Sequence, residues 1–121
     1  MLAIAAGGAI GSVLRYLLGA LVQRAAPALF PLGTLAVNAV GCLAVGLAYV
    51  WMVERSGAGA EPRAFVIVGI LGGFTTFSTF SLETITLFMH ESYGRAAANV
   101  AASVALCMLA TVLGIAMARN T

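Results

Sequence analysis

Charge is nearly missing from this chain. Charged residues make up 8% of its 121 positions, where a soluble domain carries roughly 25%. All six basic residues are Arg, too few and too dispersed to indicate nucleic acid. The net charge of +2 rests on too few groups to say much about soluble partners. Cysteine occurs twice, at Cys42 and Cys107, with no metal-ligand spacing. Each reads as a small apolar side chain inside a hydrophobic run. The single histidine, His90, falls at the end of such a run. Proline is confined to Pro27, Pro31 and Pro62, between the runs.

What remains is apolar, 62% of the residues. Crossing a bilayer core takes about 20 helical residues. Four stretches reach that length, at about 2–22, 33–53, 64–90 and 96–118. The breaks between them hold turn and charge signals: Gln23, Arg24, Pro27 and Pro31; then Glu54 to Arg63; then Glu91, Ser92, Gly94 and Arg95. The expectation is one all-α domain of four transmembrane helices in the cell membrane, with no room for a soluble domain. A cleavable signal peptide is not evident, because no basic segment precedes the first run. Tyr49 and Trp51 suit the membrane interface.

Loop arginines orient membrane proteins. With four spans, Arg55, Arg63 and Arg119 share one side, and Arg24 and Arg95 the other, where Arg15 approaches them. The near balance leaves two readings: local details decide, or the chain inserts both ways and pairs antiparallel. Four short helices also enclose little alone, which favours oligomers. Gly7 and Gly11, and the pairs Ala98/Ala102 and Ala101/Ala105, offer close-approach surfaces.

The third run departs from lipid-facing chemistry. Gly72-Gly73-Phe74-Thr75-Thr76-Phe77-Ser78-Thr79-Phe80-Ser81 places five hydroxyls and three phenyl rings where Leu, Ile and Val are expected. Such groups at bilayer depth must face protein or a wet path. Phe77 and Phe80 are neighbours on one helix face, with Thr76, Thr79 and Glu83 near the same side. They either pack or turn positive ring edges toward an anion. A neutral lining binds an anion weakly enough to release it. Asn38 is either interhelical glue or a donor to that anion. Asn99, Ser103, Cys107 and Thr111, spaced by four, form a stripe that either packs or lines. Glu83 and Arg15 are the formal charges well inside the spans; they mark function, pair together, or reach an interface. Gly72 and Gly73, followed by Thr75 and Thr76, weaken the helix, leaving a kink or freed carbonyls for a cation.

Taken together, Gly7-Gly8-Ala9-Ile10-Gly11 with Arg15-Tyr16, then Gly33 to Asn38 with Gly41, then Gly72 to Ser81 with Glu83, resemble the Fluc (CrcB) family of small fluoride channels over nearly the whole chain. The resemblance implies a dual-topology antiparallel homodimer with two pores, in a bacterial inner membrane. Its third helix would be broken near the middle. Phe77 and Phe80 would be the ring-edge fluoride ligands, with Asn38 close by. A structural Na⁺ would sit on the two-fold axis, held by the Gly72 and Thr75 carbonyls of both subunits. Arg15 would stand near a vestibule. Glu83, Asn99, Ser103 and Cys107 would form a polar track, although Asn99 and Cys107 stand where other polar types, such as Tyr and Ser, are expected. The implied role is passive export of fluoride, giving resistance, without enzymatic activity.

Two other classes fit less well. A proton-coupled exporter like the small multidrug resistance proteins needs an acidic residue in its first helix, and this one has none. A haem-binding anchor needs an axial ligand, and His90 lies at a helix end.

Overall fold

The computed structural model describes residues 1–26 and 28–121. Pro27, read above as an end signal for the first span, lies outside them. Among the described residues every regular element is helical. Four helices are long and apolar enough to cross a membrane: α1 (Leu2–Ala25), α2 (Leu32–Arg55), α3 (Ala60–Met89) and α4 (Tyr93–Asn120).

Local chemistry sets their ends. Pro31 immediately precedes α2, where a missing N–H costs nothing. Pro62 lies in the first turn of α3, whose N–H groups lack helical partners anyway. At the α3–α4 turn, Ser92 N–H bonds the Leu87 carbonyl at 2.9 Å and Glu91 N–H bonds that of Phe88 at 3.0 Å. This pattern closes a helix through one left-handed residue. That residue is Glu91, with φ 58°. Gly94 and Arg95, which read as turn residues, lie in the first turn of α4. Two segments, Val50–Arg55 and Ala64–Leu71, wind wider than an α-helix, in π fashion.

Gly7 and Gly11 do not await a second subunit. A Cβ on Gly7 would strike the Phe65 carbonyl, and one on Gly11 the Ile70 carbonyl, both in α3. Their bare surface lets α1 and the first half of α3 touch backbone to backbone. α2 packs most extensively on α4. There Gly46 meets the Thr111 carbonyl and Gly114. Further along, Glu54 pairs with Arg119 at 2.5 Å. Both contacts advance together in sequence, so α2 and α4 run parallel.

Two residues in the middle of α3 leave helical geometry. Helical winding ends at Phe74. Thr75 (ψ 156°) and Thr76 (φ −151°, ψ 116°) are extended, and helix resumes at Phe77. α2 is the most enclosed of the four helices. The outward faces carry Leu17, Val68, Leu82, Val104 and Leu113, all exposed and suited to lipid or to another chain.

Candidate intramembrane groove

The site is built around the interruption in α3. Thr76 N–H donates to Asn38 Oδ1 at 2.8 Å, and Asn38 Nδ2 donates back to the Thr76 carbonyl at 3.0 Å. Both residues are buried. One amide of α2 therefore replaces the backbone partners that Thr76 gives up. In a continuous helix Thr76 N–H would bond the carbonyl of Gly72, and Thr79 N–H that of Thr75. Thr79 N–H bonds the Thr76 hydroxyl instead, at 3.2 Å, a side-chain cap for the second half of α3. The Gly72 and Thr75 carbonyls thereby lose their helical donors. Thr75 turns back on Leu71 through both its N–H (3.0 Å) and its hydroxyl (3.1 Å). Gly41 lets this segment lie close against α2, since a Cβ there would strike Thr75 Cγ2 and stand 3.1 Å from the Phe74 ring.

Two cavities meet at Thr76. The larger, about 450 Å³, is a groove walled by Asn38 and Cys42 from α2, Thr75, Phe77 and Phe80 from α3, and Ser103 and Cys107 from α4. Thr76 also lines it, and its remaining wall is apolar. The Phe77 and Phe80 rings stand 5.3 Å apart, tilted by 49°. Phe77 is 79% exposed, so one chain leaves this rim open. The smaller cavity, about 300 Å³, holds Ser12, Arg15, Tyr16, Thr34 and Thr79. The Thr76 hydroxyl also bonds that of Thr79 at 3.1 Å and lies 3.2 Å from that of Ser78.

The inner charges do not pair. Glu83 Oε1 accepts from the Thr34 hydroxyl at 2.7 Å, and Oε2 is buried without a hydrogen-bond partner among the described residues. Arg15 lines the smaller cavity, which shares Thr34 with the Glu83 contact. The stripe on α4 divides. Ser103 and Cys107 wall the groove. Asn99, only 1% exposed, donates to the Thr84 hydroxyl at 2.8 Å and stays outside the groove wall. Thr111 bonds the Cys107 carbonyl of its own helix at 3.1 Å. Ser12, Tyr16 and Cys42 were not picked out as lining by sequence reasoning. Cys42 had a signal, one helical turn beyond Asn38; Ser12 precedes Arg15 by three positions, an equally legible neighbour.

Apolar outer faces, four spanning helices and a groove with neutral polar donors define a multi-pass membrane protein of the small transport class. Residues 2–115 match the family described as "CrcB-like protein, Camphor Resistance (CrcB)", and the chain belongs to that family. A relative from Rhizobium meliloti (strain 1021), "Fluoride-specific ion channel FluC", is 48% identical over 120 residues, covering 98% of this chain and 95% of the relative. The protein of the same name from Agrobacterium fabrum is 46% identical, covering 97% and 94%. That from Sulfurovum sp. (strain NBC37-1) is 44% identical, covering 94% and 89%.

Proposed function

We propose that this chain is the subunit of a passive fluoride channel, working as a dual-topology antiparallel homodimer and not as an enzyme. The observation that carries the reading is the near full-length similarity to proteins named as fluoride-specific channels. The groove adds physical support. Phe77 and Phe80 offer ring edges to an anion in a wall with no cation, so the anion is attracted and then released. The exposed Phe77 rim is where a second copy completes the path.

Arg15 and the hydroxyls of Thr76 and Thr79 serve the approach from the smaller cavity, where Arg15 raises the local anion concentration. Ser103 supplies a hydroxyl from α4 to the wall that holds Phe80, and Cys107 continues it. Glu83 holds the far end of Thr34 and orients that hydroxyl. Asn38 acts by holding Thr76 in place. Asn99 supports the track through Thr84 and not by lining it.

The interruption in α3 serves the dimer. The Gly72 and Thr75 carbonyls, deprived of helical donors, suit a hard cation such as Na⁺. Two carbonyls from each of two copies would hold it, and its charge would offset four dipoles pointing at one another. The site is structural.

Export follows from elementary chemistry. Neutral hydrogen fluoride crosses membranes and ionises in a less acidic cytoplasm, and the membrane potential then drives the anion out. Moving one charge through 100 mV is worth about 2.3 kcal/mol. The test is purified protein in fluoride-loaded liposomes with a K⁺ shunt. Rapid fluoride efflux with chloride retained is expected. Equal chloride efflux, or efflux only under a proton gradient, would sink the reading.

A further inference from the structure

Cys42 from α2 and Cys107 from α4 line the same groove. The parallel register that sets Gly46 on Thr111 and Glu54 on Arg119 puts these two positions at one level, a turn earlier. Both are unpaired in any disulfide and half-buried, and both line the groove.

We propose that this pair is a binding site for a soft, divalent, two-coordinate cation such as Hg²⁺. Thiolates select soft metals. Among the described residues no group of three His, Cys, Asp or Glu side chains is assembled, so an ion demanding four ligands, such as Zn²⁺, is not served. Charge decides the valence. Each thiol gives up its proton as its Sγ–metal bond forms, so one divalent ion enters and two protons leave. The adduct is neutral, like the two thiols before it. An apolar wall accepts a neutral adduct and penalises a bare thiolate. The bound ion would stand in the groove near Phe80 and Ser103. On the channel reading proposed above, it obstructs the fluoride path.

The test uses Hg²⁺ alone on the detergent-purified chain, with Cys42→Ser and Cys107→Ser beside it. Free thiols are counted during titration, and the adduct is then challenged with a monothiol. One equivalent per chain should remove both thiols of the parent. Two linked ligands gain through effective concentration, so the parent should hold the ion against at least about 100-fold more monothiol than either variant. Consumption of two equivalents per chain, unreactive thiols, or a variant that retains the ion equally well would overturn the site. Fluoride efflux is measured in parallel on reconstituted protein, each variant against its own untreated rate. Block of the parent by one equivalent, reversed by a dithiol, supports the site. A parent that binds one equivalent through both thiols yet never carries fluoride supports the site too and counts against the channel reading alone.

Discussion

Asn38 shows how a single side chain sustains a backbone that has left its helix. Both its carbonyl and its amide are spent on Thr76. Asn38→Ala removes two buried partners at once, and each orphaned group costs about 1–3 kcal/mol. The expected outcome is a loss of about 2 kcal/mol or more in denaturant unfolding, with faster hydrogen exchange at the Thr76 amide. An unchanged unfolding curve would show that the bridge is dispensable. Phe77 makes the opposite forecast. Its ring is largely exposed in the single chain, so Phe77→Ile should alter that chain's stability by less than about 0.5 kcal/mol. Fluoride efflux should nevertheless fall at least about tenfold, a barrier change of about 1.4 kcal/mol. Normal efflux from a well-folded variant would remove the ring from the pathway. The polar identity of the site was legible in the run from Gly72 to Ser81, because hydroxyls and phenyl rings replace aliphatics there. Asn38's partner was not legible, since nothing in sequence spacing tells which N–H a distant amide will receive.

Elements meet here through glycine, and the contrast between Gly7 and Gly8 tests this. A Cβ on Gly7 runs into the Phe65 carbonyl, whereas one on Gly8 meets nothing within 4 Å. Gly7→Ala should cost about 1–3 kcal/mol by overpacking. Gly8→Ala should be neutral or stabilising by up to about 1 kcal/mol through helix propensity. Thermal unfolding of the two variants side by side gives the answer, and equal effects would refute the packing scheme. The α3–α4 turn gives a gain instead. Glu91 adopts φ 58°, a conformation that costs a side-chain-bearing residue roughly 1–2 kcal/mol and glycine almost nothing. Glu91→Gly should therefore raise the melting temperature. Hydropathy revealed four helices because lipid demands long apolar runs. It was silent on the wide winding of Val50–Arg55 and Ala64–Leu71, whose composition is that of ordinary apolar helix. The spacing of Gly7 and Gly11 suggested an intermolecular use, since a small-residue surface looks the same whichever helix it receives.

At the scale of the whole molecule the open groove and the balanced arginines point the same way. If the working unit is antiparallel, lysines added at the C-terminus to force one orientation should abolish fluoride efflux, and co-expression with an oppositely biased copy should restore it. Full efflux from one forced orientation would refute the antiparallel dimer. The parallel pairing of α2 with α4 has a consequence for biosynthesis. The helix with the most enclosed surface finds its main partner in α4, which is synthesised after the other three. While the ribosome is still making α3, the face of α2 that carries Cys42 and Gly46 has nothing to lie against. The groove therefore comes into being only as α4 enters the bilayer. A chain cut at the α3–α4 turn would keep the α1–α3 seam, lack one wall of the site, and present quality-control proteases with an uncovered glycine seam.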